Sequence, residues 1–599
     1  MRSIIRIVSP GPDTIIQSAL DRRNLPALFA ALPLLRDLDS ELLAEVTGEV
    51  EWFSLPGGAM LFAAGQPADG LYVVVNGALG VYSMRPGGGS QLSGRVAAGE
   101  TVGEGEVFSG KPRASSVSAL RDTEVARLSV KTFETLIARH PQSLRQIASL
   151  AIQRLEALQN PELRSKPNLK TFVLVPHDAA SDAPHFASGF VDCLRRFGRT
   201  ELVLGATAAE QTSHWFHRLE RANDFVVYVA DPEPTNWTKL CLRQADAMLL
   251  VARRESEPRP FRALAAAADP AIAGRPAELV LLGNRGARSI NSRRWLTLHP
   301  LRRHHHVDDP LDIARVARLV TGRGLGVVLS GGGARGFAHI GVMRALQSAK
   351  LPVDSIGATS IGAIIGAGWA AGWTYAEMLE RVRRSFVDTN PLGDYTLPLL
   401  SLVSGRRVGQ RLRREFGEAH IEDLALPYFC VSTNLTSGQV AVHRRGSVWL
   451  WLRASVAIPG VLPPVFTQGN VHVDGATINN LPVDIMRETL DGKVIAIDTG
   501  ADKTLETQAE LTEVPSAWRL LAWLGRDRPR VNIVQILLRS GMINSAAATM
   551  AQRELADLVL KPPLHRIDML DWKAFDRAIE IGYRHTCETL ERQGAALSK

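Results

Sequence analysis

The chain has 599 residues, of which 45% are hydrophobic and 22% are charged. At roughly 100–200 residues per domain, this length predicts about three to five domains, and the composition excludes wholesale disorder. Lys and Arg total 69 against 61 Asp and Glu, which gives a net charge of +8 and a pI near 9.4. The excess favours an anionic partner, namely a membrane surface, nucleic acid or a phosphorylated ligand, without choosing among them.

The four cysteines, Cys193, Cys241, Cys430 and Cys587, lie far apart and form no short pairs. This pattern argues against a disulfide scaffold or a zinc knuckle and favours a reducing compartment. Residues 1–14 contain no apolar core long enough for a signal peptide, and no stretch reaches about 18 uninterrupted apolar residues. We therefore expect a soluble, cytoplasmic protein without a transmembrane helix.

The N-terminal region changes character twice. Residues 24–50 have the periodicity of a helix, and a helical pattern returns over 131–157. Between them, from Val50 to Leu128, short alternating segments are punctuated by glycine, which predicts a small antiparallel barrel or sandwich. The predicted boundaries are 1–25 for an N-terminal tail, 26–158 for this domain and 159–169 for a polar linker.

Two α/β patterns follow the linker. Residues 170–320 contain five apolar segments typical of buried strands, mostly separated by helical stretches, which predicts a parallel, Rossmann-like sheet. The triplet His304–His306 in this block lacks an acidic or cysteine partner with ligand spacing, so a surface or structural role is favoured and no metal site is predicted. A second α/β domain is predicted over 323–500, with 501–599 as its helical extension.

A glycine-rich loop, SGGGARGFAHIGV at 330–342, directly follows a predicted strand and opens a helix. Glycines allow successive N–H groups to converge on an anion. A dinucleotide fold would use Gly331, Gly333 and Gly336, with Asp354 as its acidic residue. A P-loop is excluded because no Gly-Lys-Ser/Thr follows. The third interpretation is an oxyanion hole.

The next segment, VDSIGATSIGAIIGAG at 353–368, has the pattern of a strand, a tight turn and a helix of small residues. Ser360 lies at the turn, where a nucleophile elbow would expose its hydroxyl. The usual pattern is Gly-x-Ser-x-Gly. Gly362 matches it, whereas Ala358 replaces the first glycine. Together with the upstream loop, this elbow favours the oxyanion-hole interpretation.

A serine nucleophile needs a base. His565 and His585 are available late in the chain, but neither lies in a recognisable loop motif. Asp474 is the better candidate, because it directly precedes Gly475 in VHVDGATINNLPVDI and its carboxylate can remain free on a turn. The two asparagines of this segment are expected to order the turn. An ordinary turn aspartate is the alternative interpretation.

These motifs carry a family resemblance. In its GGGARG loop, serine elbow and Asp-Gly-Ala order, the region 325–500 resembles a patatin-like phospholipase domain of the neuropathy target esterase branch. The resemblance implies hydrolysis of phospholipids or lysophospholipids without a catalytic cofactor, with Ser360 as nucleophile and Asp474 as base. The departure at Ala358 puts the efficiency of the elbow in question. The implied oxyanion hole consists of the amides of Gly331, Gly332, Gly333, Ala334 and Arg335.

The segment VGEGEVFSGKPRASSVSA at 102–119 suits a cyclic phosphate. Glu104 would accept a hydrogen bond from a ribose hydroxyl, and Arg113 would pair with the phosphate. The segment resembles the cyclic-nucleotide-binding domain, which implies cAMP or cGMP as a regulatory ligand. Gly105 and Glu106 depart from the family pattern, and a carboxylate pointing inward would weaken phosphate binding. The residues on ligand positions are Gly103, Glu104, Arg113, Ala114 and Ser115.

Residues 396–416 place leucines next to arginines, which suits docking on the anionic headgroups of a membrane. A buried leucine segment followed by a solvated helix face is the alternative. The leucines are Leu397, Leu399, Leu400 and Leu402, and the arginines are Arg406, Arg407, Arg411, Arg413 and Arg414.

The predicted fold class is therefore multidomain α/β: an N-terminal β-barrel with helices, a middle α/β block and a patatin-like domain with a parallel-rich sheet. The predicted function is acyl-ester hydrolysis by a peripheral enzyme on the cytoplasmic membrane face, regulated by its N-terminal domain. The alternatives are a nucleotide-responsive scaffold with an inactive patatin domain, and a broad carboxylesterase or acyltransferase. No motif supports nucleic-acid binding, and none indicates an oligomeric state.

Overall fold

The computed structural model describes residues 48–84, 90–139, 169–208, 211, 213–265, 277–283, 292–500 and 548–593. The chain divides into two compact units, residues 1–313 and residues 314–599. The predicted tail, most of the predicted helix at 24–50 and the linker up to residue 168 lie outside the described residues.

The N-terminal domain consists of two antiparallel sheets that share one apolar core. Its strands are β1 (Glu51–Leu55), β2 (Met60–Phe62), β3 (Gly70–Asn76), β4 (Ala78–Met84), β5 (Ser90–Ala97), β6 (Thr101–Val102), β7 (Ser116–Ala119) and β8 (Thr123–Ser129), with helices α1 (Glu104–Ser109) and α2 (Val130–Arg139). The sheet orders are β1-β8-β3-β6 and β2-β7-β4-β5. Side chains such as Val74 and Val117 meet between the sheets. The predicted barrel or sandwich is confirmed.

The middle block is a parallel six-stranded sheet in the order β10-β11-β9-β12-β13-β14, with strands β9 (Thr171–Pro176), β10 (Thr200–Leu204), β11 (Phe225–Val229), β12 (Ala247–Arg253), β13 (Ala277–Leu282) and β14 (Arg303–Val307). The sequence predicted the first five of these strands, because strands buried on both faces are continuously apolar. The histidine triplet lies on β14, where the buried His305 Nε2 is 2.6 Å from Glu278 Oε2. The helices of the middle block are α3 (Ala183–Leu194), α4 (Gly205–Ala208), α5 (Ser213–Ala222), α6 (Asn236–Gln244), α7 (Arg262–Ala265), α8 (Ser292–Leu298) and α9 (Pro310–Val320).

A buried ionic cluster joins the N-terminal domain to this parallel sheet. The carboxylate of Asp246, at the start of β12, contacts Arg95 and Arg121 of the β-domain, and Arg121 also pairs with Glu220 of α5. Burial raises the pKa of Asp246, but the two arginines outweigh it and hold the pKa well below its usual value. Because removing one partner would leave a buried charge, this cluster fixes the two parts of the unit together.

The second unit is built on an eight-stranded mixed sheet. Its strands are β15 (Leu325–Leu329), β16 (Ser355–Thr359), β17 (Tyr428–Asn434), β18 (Gln439–His443), β19 (Val465–Thr467), β20 (Asn470–Asp474), β21 (Lys493–Ile497) and β22 (Leu558–Leu560). The order is β19-β20-β17-β16-β15-β21-β22, and β18 pairs with β17. Its helices are α10 (Ala338–Ser348), α11 (Ile361–Ala370), α12 (Tyr375–Phe386), α13 (Arg406–Phe416), α14 (Val448–Ser455), α15 (Val483–Thr489) and α16 (Phe575–Gln593). Strands β16, β15, β21 and β22 are parallel to one another. The carboxyl ends of β15 and β16 therefore lie at the same edge of the sheet.

The C-terminal segment differs from the predicted helical extension. It contributes a strand, β22, to the eight-stranded sheet before α16 begins. Helix α16 packs directly on α10 at two glycines: a Cβ added at Gly341 would lie 1.9 Å from the Ile579 carbonyl oxygen, and one added at Gly582 would lie 2.3 Å from the Ala338 carbonyl oxygen. The C-terminal helix is therefore part of the unit.

In the described part of the chain, no helix combines the length and the apolar character needed to cross a bilayer.

We expect Gly341→Ala to lower the free energy of unfolding by about 1–3 kcal/mol, because the added methyl group forces α10 and α16 apart. Gly409→Ala in α13 is the matched control, since a Cβ there meets open space. Alanine should be neutral there or stabilise the helix by up to about 1 kcal/mol. Urea unfolding of both variants measures the difference, and equal stabilities would contradict the close packing of α16.

Candidate active site

The elbow between β16 and α11 holds Ser360 in a strained conformation. Ser360 has φ 55° and ψ −126°, a region that side chains rarely adopt. A Cβ added at Gly362 would lie 2.6 Å from the Ser330 carbonyl oxygen, so only glycine allows the helix to pack this closely on β15. The departure at Ala358 is accommodated, since its methyl group faces Gly366 across the strand–helix contact.

The Ser360 hydroxyl donates a 2.7 Å hydrogen bond to Asp474 Oδ2. Asp474 ends β20, and its other oxygen accepts a 2.8 Å hydrogen bond from the Ala476 N–H. The Ser360 N–H in turn donates to the hydroxyl of Ser455 at 2.9 Å. The structure thus brings the two predicted catalytic residues together and fixes each with a backbone contact.

Burial controls the charge of this pair. Asp474 is 4% exposed, and its burial raises the pKa of the carboxyl to about 7, although the hydrogen bonds from Ala476 and Ser360 lower it. The carboxylate is therefore available as a base near neutral pH, with a pKa suited to general base work. The fully buried His339, by contrast, has a pKa lowered by desolvation to about 4 and is neutral.

Two of the five amides predicted for the oxyanion hole are not available to a substrate, because they already donate hydrogen bonds within the protein. The Gly331 N–H donates to Asn480 Oδ1 at 3.0 Å, and the Ala334 N–H donates to the Met569 carbonyl at 2.8 Å. Gly332 and Gly333 line the cavity beside Ser360. Arg335, also predicted, directs its Nε to the Ile567 carbonyl.

The glycines of this loop allow it to press against its neighbours. Gly333 has φ 57°, and a Cβ there would lie 2.2 Å from the Met569 carbonyl oxygen. A Cβ at Gly331 would lie 2.9 Å from the Ser360 Cβ. The loop is thereby held directly over the nucleophile.

Asp354 does not serve the dinucleotide interpretation. Its carboxylate accepts hydrogen bonds from Arg318 and from the Leu325 N–H, at the opposite end of β16 from Ser360. The acidic residue that a ribose would need is therefore an ion-pair partner within the fold.

An apolar cavity opens from the Ser360–Asp474 pair. Its walls carry no histidine in the described part of the chain, and neither His565 nor His585 reaches it. The charged groups in the wall include Glu415, which is paired with Arg381 at 3.2 Å. Such a lining suits a hydrocarbon chain. The apolar lining residues include Ile361, Ile364, Val382, Phe386, Leu392, Leu412, Phe416, Leu462, Leu570 and Trp572.

Sequence reasoning missed three contributors to this site. Ser455 binds the nucleophile's amide, Met569 receives the loop amide, and Trp572 closes part of the cavity. A lone serine and a polar C-terminal tail carry no local signal for such long-range contacts. The side chains of the two asparagines expected to order the turn bind elsewhere: Asn480 Oδ1 accepts from the Gly331 N–H, and Asn479 Nδ2 donates to Asp484.

The predicted nucleotide site lies around a buried arginine. Arg113 donates from one NH₂ group to Asp69 Oδ1 and to the Gly70 carbonyl, both at 2.7 Å, and from the other to the Gly103 carbonyl at 3.1 Å. The remaining predicted positions surround it: Glu104 is buried at the start of α1, Ala114 is exposed, and Ser115 is half-buried before β7.

Comparisons with known proteins divide the chain as the fold does. Residues 327–487 match the model described as patatin-like phospholipase, and residues 52–140 match the cyclic nucleotide-binding domain. Residues 168–323 match the neuropathy target esterase family P-loop like domain. The chain thus combines a cyclic-nucleotide-binding-type domain, a P-loop-like domain and a patatin-like domain.

Full-length relatives narrow this class. An "Uncharacterized NTE family protein" of Mycobacterium bovis is 30% identical over 94% of this chain and 96% of its own length. The chain belongs to the NTE family. Patatin-like phospholipase domain-containing protein 6 of Homo sapiens is 31% identical, and protein 7 of Mus musculus is 30% identical, each over 91% of this chain. The chain spans about half the length of these two relatives, 45% and 46%.

Because the pKa of Asp474 lies above its usual value, the folded state keeps a proton that the unfolded chain loses near pH 4. Stability contributed by this protonation is present at low pH and is lost as the pH rises through about 7. Asp474→Asn cannot ionise. We therefore expect its free energy of unfolding, relative to that of wild type, to be higher at about pH 8 than at about pH 5. Urea unfolding at both values measures the change. The exposed Asp388→Asn is the control, and a pH-independent difference for Asp474→Asn would contradict the raised pKa.

Proposed function

We propose that the protein hydrolyses acyl esters of phospholipids or lysophospholipids, with Ser360 as nucleophile and Asp474 as its base. The observation that carries this proposal is the 2.7 Å hydrogen bond from the Ser360 hydroxyl to Asp474 in the wall of an apolar cavity. An inactive scaffold would have no need to keep a buried carboxylate on a strained serine. The family models support the lipid class.

The chemistry follows from the geometry. Asp474 Oδ2 accepts the hydroxyl proton while Ser360 Oγ bonds to the ester carbonyl carbon, and the carbonyl oxygen becomes an oxyanion beside Gly332 and Gly333. Collapse breaks the ester bond, and Asp474 returns the proton to the departing alcohol. Water then transfers a proton to Asp474 while its oxygen bonds to the acyl carbon. Collapse breaks the bond to Ser360 Oγ and releases the fatty acid, and Asp474 returns the proton to Oγ, which restores the hydroxyl.

The cavity supports a lipid acyl chain as the group held beside the serine. Its lining is dominated by aliphatic and aromatic side chains, and Glu415 in the wall is neutralised by Arg381 and Arg384. A chain bound there places its ester at the elbow. Binding energy from the chain thus serves to orient the ester.

We expect Ser360→Ala and Asp474→Asn each to lower fatty-acid release from lysophosphatidylcholine by about 10³-fold or more, because a nucleophile and its base act as one unit. Ser348→Ala, on the exposed surface of α10, is the matched control and should retain full activity. The kcat/KM of the wild type should fall as the pH drops below about 7, because protonation removes the base.

Activity that survives Ser360→Ala would overturn the mechanism, and a flat pH profile would remove Asp474 as the base. Equal turnover of short soluble esters and of lysophospholipid would favour a broad carboxylesterase, and transfer of the acyl group to an added alcohol would favour an acyltransferase.

An apolar loop beside the cavity, residues 394–404, supports binding to a membrane surface. Its base is fixed by hydrogen bonds from the Ser404 hydroxyl to Asp394 at 2.6 Å and from the Val403 N–H to the Val461 carbonyl at 3.0 Å. The tip projects its hydrophobic side chains into solvent. The exposed fractions are 80% for Tyr395, 73% for Leu397, 84% for Leu399 and 66% for Leu400, whereas Leu402 is only half-exposed.

The arginines that follow support the same surface, with one correction. Arg406, Arg407, Arg413 and Arg414 are exposed on α13, whereas Arg411 turns into the cavity wall and donates to the Ser385 carbonyl at 2.9 Å. We take the lipid surface as the partner of the apolar tip, because cations beside exposed leucines match anionic headgroups above acyl chains.

The double substitution Leu397→Ser and Leu399→Ser should reduce cosedimentation with phosphatidylglycerol vesicles at least threefold, because it removes apolar surface that enters the bilayer. Leu435→Ser, which changes a leucine 53% exposed on another turn, should not reduce it. Equal binding by the double variant and wild type would contradict the role of the loop. A fall in binding with unchanged turnover of monomeric substrate would separate docking from catalysis.

The N-terminal domain is proposed as the regulatory part, with a cyclic nucleoside monophosphate, cAMP or cGMP, as its class of ligand. Its match to the cyclic nucleotide-binding family and the position of Arg113 support this assignment. A cytoplasmic location is supported by the four cysteines, all of which are free thiols.

A further inference from the structure

In the N-terminal domain, Glu106 makes two contacts that its position beside the predicted phosphate site does not explain. One oxygen of its carboxylate accepts a 3.2 Å hydrogen bond from the Ala114 N–H, and the other lies 3.8 Å from Arg113 NH1. The Glu106 side chain is 20% exposed, so it lies mostly within the fold. It contacts a backbone amide and a guanidinium, which are the two donor types that bind phosphates.

Both NH₂ groups of Arg113 are already engaged, and its Nε–H is buried without a partner among the described residues. Its side chain has no exposed surface, and the face of its guanidinium lies 4.1 Å from the centre of the Phe62 ring. One NH₂ group is directed to Asp69 and to the Gly70 carbonyl. The second NH₂ group, on the side of Gly103, is the one that Glu106 approaches.

The backbone around Arg113 allows no retreat from this arrangement. Gly103 has φ 87°, and a Cβ there would lie 2.2 Å from Arg113 NH1, so the loop presses on the guanidinium. Gly105, by contrast, has open space around it. The Glu106 side chain is partly exposed to solvent, whereas the Arg113 side chain is fully buried and held by hydrogen bonds.

We propose that the Glu106 carboxylate occupies the place of the cyclic phosphate, so that a cyclic nucleotide binds this domain only by displacing it. The charges explain the cost of binding without displacement. Arg113 is already paired with Asp69, a carboxylate that it shares with Arg127, and is also approached by Glu106, so a cyclic phosphate would bring a further negative charge to the same guanidinium. The inference rests on the ligand class proposed above but is independent of lipid hydrolysis.

Calorimetric titration of the full chain with cAMP and with cGMP tests this proposal. Glu106→Ala should bind at least one of them at least tenfold more tightly than wild type, because the phosphate gains the Ala114 N–H and one edge of Arg113. Glu106→Gln, which keeps the shape and removes the charge, should give an intermediate gain. Adding Arg113→Lys to Glu106→Ala should abolish the gain, and thermal unfolding of each variant checks that it is folded.

Glu134→Gln on the exposed face of α2 is the matched control and should bind as wild type does. Adenosine, which lacks the phosphate, should bind wild type and Glu106→Ala equally. Wild-type affinity within threefold of that of Glu106→Ala, a gain that extends to adenosine, or failure of both proteins to bind either nucleotide would overturn the proposal. Because no lipid is present, none of these outcomes bears on the Ser360 mechanism.

Discussion

The catalytic unit depends on how closely backbone segments approach Ser360. The loop at Gly331, the helix at Gly362 and the turn at Gly475 all lie where an added Cβ would be within 3.0 Å of another atom. These contacts hold the strained serine against Asp474, and a hydrogen bond of 2.7 Å leaves little tolerance for displacement. The small residues around the elbow are thus a geometric requirement of the site.

The second constraint is the burial of Asp474. Removing water from Asp474 raises its pKa toward neutrality, which makes the carboxylate a stronger base than an exposed aspartate. The same desolvation makes its charged form unfavourable in the folded state. The hydrogen bond from the Ala476 N–H limits this cost. The burial that raises the basicity of Asp474 thus also lowers the stability of the folded state with Asp474 charged. No histidine among the described residues lines the cavity.

The sequence predicted what local patterns determine. Ser360 and Asp474 were identifiable because each lies at a turn, Ser360 two residues before Gly362 and Asp474 directly before Gly475. Strands such as Thr171–Pro176 were identifiable because burial on both faces makes them continuously apolar. The direction of single amides was not predictable. Whether the Gly331 N–H points to a substrate or to Asn480 depends on a contact 149 residues away. Strand Leu558–Leu560 was missed because three residues carry no periodicity.

The inward direction of Glu106 is another feature that the sequence left open. Its position next to a phosphate-binding pattern was visible, but the orientation of its side chain depends on the Ala114 amide, which only the fold brings near. The N-terminal domain and the catalytic site therefore illustrate the same limit. Residue type identifies the chemistry, and tertiary contacts decide whether a donor is available.

The Met569 carbonyl has a consequence for the order in which the chain is made. Translation produces the elbow, the loop and Asp474 well before residue 569, and domains fold as their residues emerge. Until then the Ala334 N–H lacks its acceptor, β21 lacks β22 as a neighbour, and the cavity lacks Leu570 and Trp572. In a nascent chain, Ser360 and Asp474 are therefore present before the residues that complete their surroundings in the folded unit.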